Sequence, residues 1–130
     1  MTFTLCLLDT VHATERDDVV SFVGEDASGS FGLLADHERF ATCLVFGLSR
    51  FRTEDGAWLY IAMPGGVLYF ANNRLTISCR HYIVDRDYER ISDVLHTQLL
   101  AEETQLQSLK KSLHSMESEL FKRLWEAGRV

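Results

Sequence analysis

Three consecutive residues, Asp36, His37 and Glu38, are the side chains best suited by type to acid–base chemistry. A histidine between two carboxylates could accept or donate a proton near neutral pH. Consecutive residues on a strand or turn point in different directions, however, so these side chains do not converge on one reacting atom. We therefore predict that this segment forms a turn or an interface and takes no part in catalysis.

No nucleophile or cofactor motif accompanies this cluster. The string Gly29-Ser30-Phe31-Gly32 lacks the G-x-S-x-G spacing that presents a catalytic serine. The sequence contains no Walker-type or dinucleotide-binding fingerprint. Cys79 and His81 lack the paired C-x-x-C spacing of a zinc site. Together with Cys6 and Cys43, Cys79 lies in an apolar or strand-like run, so we expect free thiols that pack as small hydrophobic residues, and no metal or cofactor.

Charge and hydropathy exclude further classes of protein. The net charge is −6, whereas a nucleic-acid-binding surface needs a basic patch. The first ten residues carry no positive charge and no small-residue cleavage site, and no apolar run approaches the roughly 20 residues that span a bilayer. We expect a soluble, cytoplasmic chain that neither binds nucleic acid nor inserts into a membrane.

The chain changes character near Asp85. Seven of the eight glycines and the only proline, Pro64, precede this point, and they separate short apolar runs. After Gly66 neither residue type occurs until Gly128, which is typical of uninterrupted helix. The pattern predicts an α+β protein with two domains, a β-sandwich over residues 1–85 and a helical domain over residues 86–130.

The first domain is predicted to be an antiparallel sandwich or flattened barrel of about eight to ten strands. Glu54-Asp55-Gly56 and Asn72-Asn73 are typical of tight turns between strands, and residues 24–29 read as a polar loop. The predicted strands cover residues 2–8, 18–23, 31–34, 40–46, 48–52, 58–63, 67–71 and 75–79.

The second domain carries an apolar stripe at helical spacing, interrupted only by Glu102. Residues 87–127 as one helix would extend roughly 60 Å. The only candidate turn, residues 101–105, contains no Gly, Asn or Pro, so both a helical hairpin and a single long helix are compatible with the sequence. The stripe consists of Leu95, Leu99, Leu106, Leu109, Leu113, Met116 and Leu120.

The order of glycines and strands resembles the epsilon subunit of rotary F-type ATP synthases. In that family a Gly-acidic-apolar-Gly string leads through an apolar pair to a histidine, matched here by residues 29–37. An apolar strand, a glycine and a basic/apolar strand follow, matched by residues 40–52. An aromatic-rich strand, a Gly-Gly pair and a closing strand complete the pattern, matched by Trp58 to Ala62, Gly65-Gly66 and residues 75–78. The resemblance extends over roughly residues 2–84.

The resemblance implies a non-catalytic central-stalk subunit that couples a gamma subunit to a membrane ring of c subunits. It implies a peripheral position at the cytoplasmic face of the membrane. By this resemblance, His37, Phe40 and Thr42 belong to the gamma-subunit interface. By the same resemblance, a loop of Gly29, Ser30, Phe31 and Gly32 would face the c ring.

The sequence departs from the family pattern at several points. Ser30 stands where the family has an acidic residue, and Ala35-Asp36 and Glu38-Arg39 replace Pro-Gly and Ala-Pro on either side of His37. Residues 88–93 do not match the Ile/Leu-Asp-x-x-Arg-Ala motif through which some relatives bind ATP, so we expect no ATP binding by this subunit alone. These departures suggest a divergent member, such as one from the alternate, sodium-type ATPase branch.

The basic C-terminal segment has two interpretations. As an extended regulatory arm it would contact alpha and beta catalytic subunits and inhibit ATP hydrolysis, as in relatives; alternatively its charges are a solvated helix face. A rival hypothesis for the whole chain is a stand-alone β-sandwich adaptor that dimerises through its C-terminal coiled-coil helix. The predicted arm residues are Lys110, Lys111, Lys122, Arg123 and Arg129, with Leu109, Leu113, Met116 and Leu120 as its apolar stripe.

Overall fold

Nine strands and one long helix make up the protein in the computed structural model, which describes residues 1–128. The arrangement confirms the predicted α+β fold, a β-sandwich followed by a helical part, and of the two predicted forms of that part the single long helix is the one observed. The strands are β1 (Phe3–Leu8), β2 (Ala13–Asp26), β3 (Gly29–Leu34), β4 (Phe40–Leu44), β5 (Gly47–Thr53), β6 (Trp58–Met63), β7 (Gly66–Ala71), β8 (Arg74–Cys79) and β9 (Ile83–Asp85). The helix comprises α1 (Tyr88–Val94), a π-helical turn (Leu95–Leu99) and α2 (Leu100–Ala127).

Strand β2 belongs to both sheets of the sandwich. Its first half pairs with β1, and its second half pairs with β3 on one side and β5 on the other. The register shifts near Val19, where β2 passes from one sheet to the other. The front sheet therefore has the order β3-β2-β5-β6-β9, and the back sheet has the order β2-β1-β8-β7-β4. Only the β1–β8 pair is parallel among the described strands.

The core lies between the two sheets and is rich in phenylalanine. Phe3 and Phe70 meet edge to face with their ring centroids 5.5 Å apart, and Phe22 and Phe51 are fully buried beside them. Each such ring contributes about 1.5–3 kcal/mol by leaving water. These contacts hold the two sheets face to face and keep their outer surfaces in fixed positions.

The predicted polar loop over residues 24–29 is wrong. Residues 24–26 continue β2 and Gly29 begins β3, so the turn is only Ala27-Ser28. A Cβ atom on Gly24 would lie 2.8 Å from Cε1 of Phe22, so this glycine permits close packing and does not mark a turn. Strand β9, three residues paired with β6, was too short to predict.

Both predicted tight turns are confirmed. Asn72 and Asn73 have φ angles of 53° and 58°, the left-handed pair that a two-residue hairpin turn requires. Gly56 has a φ of 85° between β5 and β6. At both turns, the residues with positive φ are asparagine or glycine, the types that tolerate this backbone conformation best.

The base of the helix packs on the front sheet. Ile91, Leu95 and Leu99 are buried against Ala62, with Leu48 and other half-buried residues around them. The side chain of Asp87 caps the first turn by accepting the backbone N–H of Arg90 at 3.2 Å.

The candidate turn over residues 101–105 is helical, so the single helix, and not the hairpin, is the observed state. Arg80 forms an ion pair with Glu103, and His81 Nδ1 lies 3.5 Å from a carboxylate oxygen of Glu102. Glu102, which interrupts the apolar stripe, and its neighbour Glu103 thus anchor the helix to the segment between β8 and β9.

Candidate functional site

The outer surface of the back sheet carries a patch of uncharged side chains, which we call the uncharged face. Its residues point outward because side chains alternate along a strand. Val67 and Tyr69 are its largest apolar members, 58% and 43% exposed. The strand register places two rows side by side, Ala41–Tyr69–Thr76 and Cys43–Val67–Ser78–Leu8. Cys6 follows Thr76 in the first row but is buried.

This absence of charge is unusual for a chain whose net charge is −6. An ion pair between Arg74 and Glu15, at 2.9 Å, lies at the margin of the uncharged face. Exposed apolar side chains with few charges among them are typical of the centre of a protein–protein interface. The uncharged face is therefore the best candidate for a protein-binding surface on the sandwich.

Two of the three residues predicted for the gamma interface lie beneath this face. Phe40 and Thr42 alternate with Ala41 and Cys43, so they point toward the other sheet. Phe40 packs on the core, and the Thr42 hydroxyl donates to a carboxylate oxygen of Asp26 at 2.8 Å. Their role in a gamma interface stays a prediction. In that role, the two side chains would support the uncharged face from below.

The exposed residues that sequence reasoning missed had a recognisable signal. The run Val67-Leu68-Tyr69-Phe70 is apolar at both alternating positions. A strand with that pattern is typical of a sheet covered on both sides. Cys43 also lies on this face and is exposed, so the expectation that it packs as a buried thiol is wrong.

The Asp36–Glu38 segment is a turn at the edge of the uncharged face. Asp36, with a φ of 63°, donates its backbone N–H to Asn73 Oδ1 at 2.5 Å, and the Asn73 amide donates back to Asp36 Oδ1 at 2.7 Å. The exposed ring of His37 packs edge-on against Phe40 and Phe70, with centroids 5.9 Å away in each case. Asp36 and His37 thus engage different partners and do not converge on a common point.

The residues predicted as a ring-facing loop lie on strand β3, not in a loop. Phe31 points inward, 5.3 Å from the ring of Phe40, whereas Ser30 and Gly32 are exposed. Glu25 lies directly opposite Ser30 on β2, so the hairpin tip carries a carboxylate even though Ser30 does not. We call residues 25–30 the hairpin tip.

Asp26 stabilises the hairpin tip. Its carboxylate accepts hydrogen bonds from the Ser28 hydroxyl and backbone N–H and from the Thr42 hydroxyl. The Ser28 hydroxyl, followed by that of Thr42, holds the pKa of Asp26 below its usual range. The tip is therefore an ordered turn with a fixed negative charge.

The outer part of α2 extends away from the sandwich. None of its residues is buried, and the predicted stripe residues Leu109, Leu113, Met116 and Leu120 are more than half exposed. Phe121, Leu124 and Trp125 are also exposed and were not predicted as part of the stripe.

Four of the five basic residues predicted for the arm lie on this exposed part of α2. Lys110, Lys111 and Lys122 are exposed, and Arg123 lies 3.4 Å from Glu119 one turn earlier. Arg129, the fifth predicted basic residue, lies outside the described residues.

Residues 1–128 contain neither a helix suited to span a membrane nor a cluster suited to hold a metal ion. No helix in this range is both long enough and apolar enough to cross a membrane. In the same range, no three His, Cys, Asp or Glu side chains are grouped so that they could hold a metal ion.

Known proteins resemble this chain mainly through its sandwich. The chain is 39% identical over 85 residues to ATP synthase epsilon chain 2 of Cereibacter sphaeroides, a match that covers 65% of this chain and 58% of the relative. It is 36% identical over 77 residues to the chloroplastic ATP synthase epsilon chain of Pisum sativum, covering 59% and 56%. The corresponding protein of Spinacia oleracea is 33% identical over 94 residues, covering 72% and 65%. The chain thus matches less than two thirds of the length of each relative.

Two solved structures share the fold. One is the Euglena gracilis mitochondrial ATP synthase, described as OSCP/F1/c-ring, with a TM-score of 0.60, 19% identity, and coverage of 73% of this chain and 62% of that chain. The other is the Tetrahymena thermophila mitochondrial ATP synthase, described as central stalk/c-ring, with a TM-score of 0.53, 13% identity, and coverage of 62% and 64%.

The family assignment rests on the sandwich itself. A family model described as "ATP synthase, Delta/Epsilon chain, beta-sandwich domain" matches residues 2–84, more than half of the chain and all but the end of its nine-stranded part. The chain belongs to the ATP synthase delta/epsilon chain family.

Proposed function

We propose that this chain is an epsilon-type rotor subunit of a rotary ATP synthase or ATPase, coupling a gamma subunit to a ring of c subunits. The observation that carries the proposal is the uncharged face, a ready protein-binding surface on a sandwich of this family. In this role the chain performs no catalysis and is peripheral to the membrane on its cytoplasmic side.

The gamma subunit would bind the uncharged face. Val67 and Tyr69 supply apolar area, and the hydrogen-bonded sheet beneath them resists deformation. His37 would lie at the rim of this contact, with Phe40 and Thr42 supporting it from below. A rigid contact of this kind suits a part that must turn together with its partner.

The ring would be contacted through the hairpin tip and the start of β3, including Gly29, Ser30 and Gly32. Glu25 would supply the carboxylate that Ser30 lacks, because the two residues are cross-strand neighbours. Phe31 would act indirectly, by holding the hairpin against the core.

The helical part would act as a regulatory arm on alpha and beta subunits. Exposed ion pairs contribute only about 0–1 kcal/mol each, so the basic residues would need help from the apolar stripe. We also propose a functional division at Asp85, with residues 1–85 for coupling and residues 86–130 for regulation. The base of the helix, which packs on the front sheet, would connect the two parts.

Co-purification of the chain with gamma and c subunits tests the proposal. Tyr69→Glu places a charge in the centre of the uncharged face and should reduce recovery of the gamma subunit at least tenfold, because a buried unpaired charge is costly. The matched control is Val11→Glu, at a side chain that is 77% exposed in the β1–β2 connection. Unchanged recovery with Tyr69→Glu, in a variant with a normal circular dichroism spectrum, would contradict the proposal.

The rival hypothesis of a stand-alone adaptor is not favoured, because the family match covers the sandwich that carries the binding face. The exposed stripe of α2 is the one observation in its support. Light scattering of the isolated chain distinguishes the rotor subunit from the adaptor. A tight dimer that does not bind the gamma subunit would favour the adaptor.

A further inference from the structure

The outer surface of the front sheet differs in character from the uncharged face. Its exposed part consists of two cross-strand rows, which we call the arginine face. The helix base covers the neighbouring end of this sheet, at Leu48 and Ala62, and also contacts Tyr60, whose ring lies 5.3 Å from that of Tyr88 in α1. Both arginines and Trp58 remain exposed. The rows are Leu34–Ser21–Arg52–Trp58 and Gly32–Val23–Arg50–Tyr60.

Two arginines share one indole ring on this face. The guanidinium carbons of Arg50 and Arg52 lie 5.2 and 5.8 Å from the ring centroid of Trp58. Cation–π contacts of this length hold both side chains in place while their N–H groups remain directed to solvent.

Neither arginine forms an ion pair with any carboxylate of residues 1–128. Five other arginines of the same range do form ion pairs, so paired arginines are the commoner arrangement in this acidic chain. Those five are Arg16, Arg74, Arg80, Arg90 and Arg123. Two ordered, exposed and unpaired guanidiniums constitute a site for carboxylates, which guanidinium binds through two parallel hydrogen bonds.

The surface beside the arginines has small or half-buried side chains. Ser21, Val23 and Gly32 lie at its centre, and Leu34, 63% exposed, lies at its far edge. This surface spans strands β3, β2 and β5, a width of about 10 Å at the usual spacing between strands. That width equals the diameter of an α-helix, and the same sheet already accommodates the helix base at its other end.

The spacing of the arginines indicates what kind of helix fits. Residues two apart on a strand lie about 7 Å from each other. Carboxylates four apart on a helix lie about 6 Å apart and share one face. The chain's own α2 does not supply such a pair, because its acidic residues, at positions 102, 103, 117, 119 and 126, are never three or four apart.

We propose that the arginine face docks an acidic helix of a partner protein, with two carboxylates one turn apart bound by Arg50 and Arg52. Leu34 and the edge of Trp58 pack against the apolar atoms of that helix. The proposal concerns a surface on the opposite side of the sandwich from the uncharged face and does not depend on gamma binding there.

A designed peptide tests this directly on the full chain. The probe is an alanine-based helical peptide with two pairs of glutamates four residues apart, and the reference peptide has glutamine at those positions. Binding is followed by the fluorescence of Trp58 in a Trp125→Phe background at low salt. We expect saturable binding of the glutamate peptide only, weakened at least tenfold by 0.3 M salt.

Matched variants locate the site. Arg50→Gln with Arg52→Gln should weaken binding at least tenfold. Arg39→Gln with Arg86→Gln should not, because it removes two exposed arginines that lie outside the arginine face and form no ion pair within residues 1–128. Arg50→Lys with Arg52→Lys should also weaken it, since lysine lacks the two-pronged geometry. Absence of saturable binding, or an equal loss in both glutamine pairs, would overturn the proposal. Arginine-dependent binding to phosphatidylglycerol vesicles, without peptide binding, would overturn it in favour of a lipid headgroup.

Discussion

The carboxylate of Asp85, at the end of the last strand, accepts two hydrogen bonds from the guanidinium of Arg90, at 2.6 and 2.7 Å. It also accepts the backbone N–H of Asp87 at 2.9 Å. Because Arg90 lies in the first turn of the helix, this cluster fixes the direction in which the helix leaves the sandwich. The Arg90 side chain holds the pKa of Asp85 well below its usual range.

Asp85→Asn should loosen the start of the helix while leaving the sandwich intact. Hydrogen exchange of the amides of residues 88–94 should be faster at pH 7, and exchange within β5 and β6 should be unchanged. Because the pKa of Asp85 is lowered in the folded protein, its contact with Arg90 is fully formed at pH values above the ordinary carboxyl pKa. The contact weakens only in strong acid. Glu89→Gln, at an exposed side chain without an ion pair, is the control; equal exchange in both variants would refute the prediction.

Asp9 should make stability depend on pH in the acid range. Burial raises its pKa, but hydrogen bonds from the backbone N–H groups of Val11, His12 and Tyr82 outweigh that effect and hold the pKa at about 2, below the ordinary 3.8. A lowered pKa stabilises the fold above roughly pH 4, and this stabilisation is lost as the pH falls toward 2. Urea unfolding at pH 2.5 and pH 6 should show a smaller difference for Asp9→Asn than for wild type. Asp17→Asn should retain the wild-type difference.

Leu99→Ala should destabilise the docking of the helix on the sheet. Leu99 is 1% exposed and packs with Ala62, Ile91 and Leu95. Its truncation leaves a cavity that costs about 2–5 kcal/mol in the free energy of unfolding. Leu109→Ala, at a position 56% exposed on the same helix, should change that energy by no more than about 0.5 kcal/mol. Similar urea midpoints for the two variants would be inconsistent with the packing described.

Gly66→Ala should disrupt the β7–β8 pairing. A Cβ atom there would lie 2.8 Å from the carbonyl oxygen of Ser78 and 3.1 Å from the Cβ atom of Cys79. The backbone must move, at a cost of about 1–3 kcal/mol in unfolding free energy. Gly32→Ala meets its nearest atom at an ordinary 3.7 Å and should be close to neutral in thermal unfolding. The prediction fails if the two variants melt alike.

Removal of residues 105–130 should raise ATP hydrolysis by the assembled enzyme, because the exposed stripe and basic residues of α2 would no longer contact the catalytic subunits. Replacement of Lys110, Lys111, Lys122 and Arg123 by glutamine should have a smaller effect in the same direction, since each exposed pair contributes little. Unchanged hydrolysis after the truncation would refute the inhibitory arm and leave the coupling role in place.

Glycine distribution and residue alternation were sufficient to predict the fold class and most strands. The turn at Asn72-Asn73 was predictable because local backbone geometry selects the residue type. Gly24 was wrongly assigned to a loop. Its role is to leave room for the ring of Phe22, and the residue types alone do not show how that ring packs. The choice between one helix and a hairpin was likewise beyond local propensity, because it involves contacts of Glu102 with His81 and of Glu103 with Arg80, before β9.

The predicted interface residues Phe40 and Thr42 lie on the same strand as Ala41 and Cys43 of the uncharged face but on its other side, and their place in an interface stays a prediction. Thr42 and Cys43 are adjacent in sequence and point to opposite faces, so a one-residue difference separates a supporting side chain from an exposed one. Arg50, Arg52 and Trp58 were not selected, because a cation–π cluster between neighbouring strands depends on their register.

Because β2 runs through both sheets, the two layers of the sandwich are joined by covalent bonds as well as by packed side chains. Sliding of one layer over the other by a single residue would break the pairing of β2 with β1 or with β3 and β5. A twisting load applied to one surface is therefore carried to the opposite surface along the main chain of one strand. The sandwich resists shear as a stiff block, and little of an applied rotation would be lost as slippage inside it.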